Sequence, residues 1–298
     1  MKISIIGGSG LMGPHLVRDL QKAGHSITCI NRRGQSQLTT AIACDRRDPN
    51  YLRTTIEELD PDVVVDMIPF TRSDAESLAE ILRGNSKVQL IAVSSIDVYL
   101  AYGRLHRTEV GPYQECPIRE CDALREKISF QGESYDKLAV EEVYLGEHEN
   151  VSILRMPAIY GWPDRSRIQE YVTAALSEKG NLRINPRFAQ WGFSRASAQD
   201  CAYAVSLTIG LKGQHIFNVA EPELLTEEQW CKTVWQAMEF EGNLILDEDC
   251  PIPFNADILQ GWHVDTSKIR SELGYEERTN RIEVLRHNIK NLLAAEPN

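Results

Sequence analysis

The apolar run Ile3 to Ile6 opens directly onto Gly7-x-x-Gly10-x-x-Gly13. A strand that ends this way must turn sharply, and its backbone must let something approach closely. Side chains at Gly7 or Gly10 would block that approach. Gly13 lets the next helix, which carries Leu16, Val17 and Leu20, pack tightly on the first strand. A second strand-like run, Ser26 to Ile30, follows the Gly24-His25 turn, so the glycines lie inside a βαβ unit. The first turn of such a helix offers bare N–H groups and the positive end of its dipole. The pattern therefore predicts a dinucleotide pyrophosphate held by Gly7, Ser9, Gly10, Leu11, Met12 and Gly13.

A chain of 298 residues with 42% hydrophobic content can bury a sizeable core as one large domain or two modest ones. No stretch approaches the length of a membrane span, and the first strand starts at Lys2, so the expected location is the cytoplasm, with no membrane partner. The seven cysteines form no CxxC pair and no regular framework, which suits reduced thiols and argues against metal binding through them. A net charge of −11 argues against nucleic acid as a partner, because counterion release needs a basic surface.

Apolar runs recur at Ile3–Ile6, Ile27–Ile30, Val63–Asp66, Val88–Val93 and Val151–Leu154. Helix-like segments separate them at Pro14–Ala23, Asn50–Glu58, Ser73–Arg83 and Tyr135–Glu149. This rhythm predicts an α/β fold, a Rossmann-like doubly wound parallel sheet with a smaller C-terminal substrate-binding domain. The nucleotide-binding domain is expected over 1–160 and 196–222, the substrate-binding domain over 161–195 and 223–298. Between Tyr99 and Gly132 runs a long polar connection with the length of a functional lid. Beyond it, Ile168 to Leu176 reads as a helix, His215 to Val219 as a strand returning to the sheet, and Thr226-x-x-Gln229 as a capping box.

Several separated motifs then point the same way: GGSGLMG at Gly7–Gly13, VVVDM at Val63–Met67, VSSIDVY at Val93–Tyr99, YDKLAVEE at Tyr135–Glu142, LRMPAIYG at Leu154–Gly161 and DTSKIRSELGY at Asp265–Tyr275. In this order the chain resembles the extended or atypical short-chain dehydrogenase/reductases, the NAD(P)-dependent epimerase/dehydratase group. The resemblance implies a cofactor at the strand ends and a C-terminal domain closing over a small substrate, often a nucleotide-activated sugar. It also implies that Asp45 lies near the adenine amino group, and that Asp66, Met67 and Ile68 flank the cofactor.

At the end of the second strand, NAD-specific folds place a carboxylate for the ribose hydroxyls. Here Asn31 stands there, followed by Arg32 and Arg33. A neutral residue beside guanidinium groups suits a 2′-phosphate, so NADP is expected, with NAD as the alternative.

The resemblance further implies that a Ser or Thr at the fourth strand's end binds the substrate oxygen, a Tyr moves the proton, and a Lys four residues later lowers that Tyr's pKa and holds the cofactor ribose; Ser94 and Lys137 are thereby also expected at the cofactor. Ser95, with Ser94 beside it, matches the first role and Lys137 the last. The position four residues before Lys137 is Glu133 rather than tyrosine. Tyr135 precedes Lys137 by two residues, which on a helix would turn it to nearly the opposite face. Either the helix starts late enough for Tyr135 to swing inward, or Glu133 or water handles the proton. Asp97 reads either as an acidic catalytic residue, as in some similar sugar dehydratases, or as a strand-end cap.

On the substrate side, Arg165, Arg167, Arg187 and Arg195 suit phosphate, and Trp162 or Trp191 suits a ring; of these, Trp162, Arg167 and Arg195 are the candidates carried forward. Arg155 reads as a brace. The expected activity is hydride chemistry at a hydroxyl or carbonyl carbon of a sugar-like small molecule. The rival is a non-catalytic NADP sensor or scaffold that has lost the YxxxK tyrosine. A homodimer is left open.

Overall fold

A computed structural model of the protein describes residues 1–129, 131–163, 168–177 and 180–295. In chain order its first half contains β1 (Lys2–Ile6), α1 (Gly13–Lys22), β2 (Ser26–Asn31), β3 (Thr40–Ala43), α2 (Pro49–Leu59), β4 (Val63–Asp66), α3 (Arg72–Leu82), β5 (Gln89–Ser95), α4 (Leu100–Leu105) and α5 (Lys137–Glu147). The second half contains β6 (Val151–Met156), β7 (Ala158–Tyr160), α6 (Gln169–Leu176), β8 (Asn181–Ile184), α7 (Pro186–Ala189), β9 (Arg195–Ser197), α8 (Ala198–Leu207), β10 (Gln214–Asn218), α9 (Glu227–Ala237), β11 (Asn243–Leu246), α10 (Ser267–Leu273) and α11 (Arg281–Ala295).

Seven parallel strands form the main sheet in the order β10-β6-β5-β4-β1-β2-β3. Strand residues alternate between two apolar layers, as the pleat requires. Ile3, Ile5, Val63, Val65 and Ile91 join Leu16 and Leu20 of α1 and Val205 of α8 on one face. Ile6, Val64, Leu90 and Ile153 join Leu52 of α2, Leu78 of α3 and Tyr144 of α5 on the other. Covering both faces explains why β4 and β6 are buried along their whole length. The chain runs outward from β1 to β3, then restarts at β4 on the other side of β1. The order thus reverses at β1/β4, where a parallel sheet leaves a crevice beyond its strand ends.

A third cluster gathers Tyr160, Tyr171, Leu182, Trp230, Trp235, Leu285 and Ile289 from β7, α6, β8, α9 and α11, beside the parallel pair β8–β11. The capping box that opens α9 forms in full: Thr226 accepts from the Gln229 amide and Gln229 reaches back to the Thr226 amide. The long connection after Tyr99 is tied down at several points. Ile118 N–H donates to His263, Asn218 donates to the Ile118 carbonyl, and Arg125 N–H donates to Val98.

One element differs from its sequence expectation in a way that matters. The helix expected from Tyr135 starts at Lys137, because Asp136 is the N-cap and accepts from the Ala139 amide. Tyr135 is left in extended backbone, φ −150° and ψ 92°, at the end of a 3₁₀ turn over Gly132–Ser134. The helix also stops at Glu147, two residues short of the expectation.

Candidate active site

Beyond the sheet's strand ends lies a cavity of about 220 Å³, lined by the glycine turn, Met67 and Ile68 after β4, Ser94 and Ser95 at the end of β5, and Tyr135 and Lys137. Gly7 has φ +84°, and a Cβ there would stand 2.9 Å from Ile68. A Cβ on Gly13 would stand 2.0 Å from the Gly8 carbonyl oxygen, so α1 can lie this close to β1 only with glycine. At Gly10 a Cβ would meet only the Gly7 carbonyl oxygen, at 3.5 Å, so its outer face is open. Such an open backbone fits a pyrophosphate at the N-terminal end of α1, where Met12 is the N-cap residue and Ser9 is exposed.

At the end of β2, Asn31 folds its side chain into the next turn. Its Oδ1 accepts from the Arg33 and Gln35 amides, and its Nδ2 donates to the Gln35 carbonyl. Arg32 and Arg33 stay exposed, as does Asp45, whose carboxylate accepts the Arg47 amide.

Asp66 is fully buried, and its carboxylate faces inward rather than toward the cleft. Oδ1 pairs with Arg46 at 2.6 Å and Oδ2 accepts from Tyr144 at 2.6 Å. Arg46 also reaches the Ile68 carbonyl and Asp74, so this buried group sets the path of the Met67–Ile68 backbone. Arg46 was not singled out from the sequence; the signal available was its place in CDRRD, beside Asp45.

Ser94 and Ser95 divide the end of β5 between them. Ser94 is buried and donates to Glu141 at 2.5 Å, and Glu141 takes a forked contact from Arg155. Arg155 also donates to Tyr99 and to the Glu120 carbonyl, which makes it the brace expected of it. Ser95 lines the cleft, and its Oγ accepts the Asp97 amide at 3.3 Å.

Asp97 is 5% exposed, and its Oδ1 has no hydrogen-bond partner among the described residues. Its side chain is within hydrogen-bonding reach of Ser95 and Tyr135. Burial raises its pKa to about 6, opposed by the charges of Lys137 and Arg125. Arg125 was another residue absent from the sequence reading; its guanidinium bridges the Asp97 carbonyl and the carboxylate of Asp136.

Lys137 is buried, and Nζ donates to the carbonyls of Pro69 and Val93, both at 2.9 Å. Burial lowers its pKa to about 8, against the pull of Asp66 and Asp97. The Phe70 and Tyr135 rings lie 4.9 and 5.6 Å from the ammonium. Tyr135 enters the cleft because α5 starts after it, and its hydroxyl faces Ser95 and Asp97. Burial and the Asp97 charge raise its pKa, so the phenol holds its proton. Glu133 is exposed on the 3₁₀ turn and does not line the cleft.

The substrate-side candidates are not brought together. Arg195 is 5% exposed, paired with Glu227 and packed on the Phe193 and Trp230 rings, so its guanidinium holds the third core cluster rather than facing the cleft. Trp162 lines a different cavity, and Trp191 packs between Phe188 and Phe193. Arg165 and Arg167 lie outside the described residues.

The family model described as "NAD dependent epimerase/dehydratase family" matches residues 3–191, most of the sheet and its strand-end cleft. The chain belongs to the NAD dependent epimerase/dehydratase family. Membership makes it one of a family of NAD-dependent enzymes, with the epimerase/dehydratase group as the setting for its glycine turn. It is 27% identical over 169 residues to the 2'-dehydrokanamycin reductase of Streptomyces kanamyceticus; the match covers 54% of this chain and 43% of that protein, so less than half of the relative's length is spanned. Its fold is similar to UDP-N-acetylglucosamine 4-epimerase from Bacillus cereus, with a TM-score of 0.75, 17% identity, and 98% and 99% of the two chains covered. It is also similar to UDP-glucose-4-epimerase from Stenotrophomonas maltophila, determined with bound NAD, at a TM-score of 0.77, 16% identity and 99% and 98% coverage. A dTDP-glucose 4,6-dehydratase from Bacillus anthracis in complex with NAD gives 0.72, 16%, and 99% and 97%. At these identities the structures establish the shared epimerase/dehydratase fold. Among the described residues no helix is long and apolar enough to cross a membrane, and no group of three His, Cys, Asp or Glu side chains is placed to hold a metal ion.

Proposed function

We propose that this protein transfers hydride reversibly at a hydroxyl or carbonyl carbon of a sugar-like, nucleotide-activated small molecule, with NADP as preferred cofactor. The observation that carries the reading is the late start of α5, which leaves Tyr135 in the cleft with Ser95 and Lys137, its hydroxyl turned toward the buried Asp97. The bound nicotinamide supplies the hydride acceptor or donor. Ser95 hydrogen-bonds the substrate oxygen and Tyr135 transfers the proton to or from it. Lys137 has two of its three ammonium donors on carbonyl oxygens, which leaves one for a ribose hydroxyl. The described residues within 161–195 and 223–295 cover the substrate.

Asp97 gives this chemistry its pH dependence. When the carbonyl is reduced, Tyr135 gives up its proton and Asp97 returns one to it, so reduction slows as pH rises through about 6 and Asp97 ionises. In the oxidative direction the ionised carboxylate draws the proton through Tyr135, so the rate rises over the same interval. Initial rates in both directions between pH 5 and 8 test this, and Asp97→Asn flattens both limbs. Limbs that persist in the variant would assign them to another group.

Cofactor choice rests on Asn31, Arg32 and Arg33 at the end of β2. Calorimetric titration with NADPH and NADH should give tighter binding of NADPH. Arg32→Ala should weaken NADPH binding by about 1.5–3 kcal/mol, roughly ten- to a hundredfold, and leave NADH unchanged. Equal affinities for the two cofactors would overturn the preference.

The activity itself is tested by incubating the protein with NADP⁺ and a panel of nucleoside-diphosphate sugars while following reduced nicotinamide by absorbance and sugar products by chromatography. Reduction of the cofactor or conversion of a sugar supports the reading. Cofactor binding with neither change across the panel would count against it.

A further inference from the structure

The groups assigned to the reaction come from two separate segments. Ser95 ends β5 and Asp97 lies in the turn after it, whereas Tyr135 and Lys137 flank the start of α5. Ser95 and Tyr135 can meet one substrate oxygen only if these two ends keep a fixed distance, since a misplacement of about 1 Å can cost about a hundredfold in rate. The residue between Tyr135 and Lys137 is Asp136, the N-cap of α5.

Arg125, from the long connection, fastens the two ends together. Its backbone N–H donates to the Val98 carbonyl at 2.9 Å, which pins it beside the turn that follows β5. From there the guanidinium reaches three acceptors: Nε donates to the Asp97 carbonyl at 3.1 Å, Nη1 to the Lys127 carbonyl at 2.8 Å, and Nη2 to the Asp136 carboxylate. Its side chain is 2% exposed, so these acceptors rather than water hold it. Asp136 in turn donates its backbone N–H to the Phe70 carbonyl and caps the Ala139 amide. Ser129, further along the same connection, donates to the Tyr135 carbonyl. The planar fork of arginine suits acceptors that diverge in this way, and an ammonium has no such fork.

The guanidinium is also a buried charge close to a buried carboxylate. Lys137, Arg125, Ser95 and Tyr135 face Asp97, and Tyr102 of α4 lies beyond Tyr135. Of these, Lys137 and Arg125 hold back the rise that burial gives the Asp97 pKa.

We propose that Arg125 is a positioning residue of this site, clamping the Asp97 turn to the Asp136 cap so that the Tyr135 hydroxyl stands at Ser95. The proposal rests on the reading of Tyr135 as the proton carrier. Arg125 does not line the cleft, so it acts through Asp136, Tyr135 and Asp97.

The test compares the full chain with Arg125→Lys, which keeps the charge and loses the fork, and with Arg125→Met, which loses both. Turnover of a nucleoside-diphosphate sugar from the panel, measured where circular dichroism shows each variant folded, should fall at least about tenfold in both. NADPH affinity should stay at the wild-type value. The pH limbs separate the variants. In Arg125→Met their midpoint moves up by about 1 unit, because a charge that favours ionised Asp97 is gone, and in Arg125→Lys it stays in place. Carbon NMR titration of the Asp97 carboxyl should show the same shift without substrate, and hydrogen exchange of the Ala139 amide should quicken in both variants. Wild-type turnover in both variants, an unmoved Asp97 midpoint in Arg125→Met, or a loss of turnover matched by an equal loss of NADPH affinity would overturn the proposal. If no sugar on the panel is converted, the hydride reading fails, while the Asp97 titration and the Ala139 exchange still decide whether Arg125 holds the two ends.

Discussion

Tyr135→Phe lowers turnover by about 10²–10⁴-fold and leaves NADPH affinity within a factor of about two. The size of the loss follows from the role. Among the described residues the phenol is the only tyrosine hydroxyl that lines the cleft beside Ser95, and burial together with the Asp97 charge keeps it protonated and ready to donate. Phenylalanine preserves the ring that packs beside Phe70 and near the Lys137 ammonium, so the cleft keeps its shape and loses only the proton. Glu133→Gln is the matching control, with turnover unchanged, because Glu133 is exposed outside the cleft. Steady-state kinetics and cofactor titration of the two variants decide the matter. A large loss in the Glu133 variant with activity retained in Tyr135→Phe would reverse the assignment.

Arg155→Met destabilises the fold by about 3–5 kcal/mol, the range for removing one partner of a buried ion pair. Arg155 and Glu141 are each 1% exposed, and their carboxylate–guanidinium contact is forked, with a closest approach of 2.7 Å. With arginine gone, the Glu141 carboxylate is left in a site without solvent, where among the described residues the Ser94 hydroxyl remains to meet it. Tyr99 and the Glu120 carbonyl also lose a donor. Adding Glu141→Gln removes the stranded charge and should recover part of the loss, which urea unfolding of the single and double variants measures. Recovery by the second substitution separates charge burial from a simple loss of packing. The same contact reaches function, because Ser94 ties the end of β5 to α5 and sets where the adjacent Ser95 stands. Arg155→Met should therefore lower activity even at temperatures where the protein remains folded.

How far the site can be read from the chain depends on how local each cause is. The glycine turn is legible because its demands are met within seven residues: a positive φ at Gly7, an open face at Gly10 and a close helix approach at Gly13. The strands are legible because a parallel sheet covered on both faces requires unbroken apolar runs, and Val63–Val65 and Val151–Leu154 supply them. Glu133 and Tyr135, by contrast, cannot be told apart by spacing alone, because the answer depends on where α5 begins. Asp136 caps that helix and is itself held by Arg125, eleven residues earlier in the chain. Arg195 and Asp66 were misleading for the opposite reason. Each sits at a strand end where a charged side chain has two directions open to it, and each turned toward a buried partner from a distant segment, Glu227 and Arg46.

The sequence by itself determined the parallel sheet, the dinucleotide turn and the family, because each follows from periodicity or from residues adjacent in the chain. Tertiary structure alone decided which tyrosine hydroxyl enters the cleft and that Asp97 is buried within reach of the charges of Lys137 and Arg125. Those outcomes depend on desolvation and on charges brought together from segments far apart in the chain, which only the packed fold brings within range.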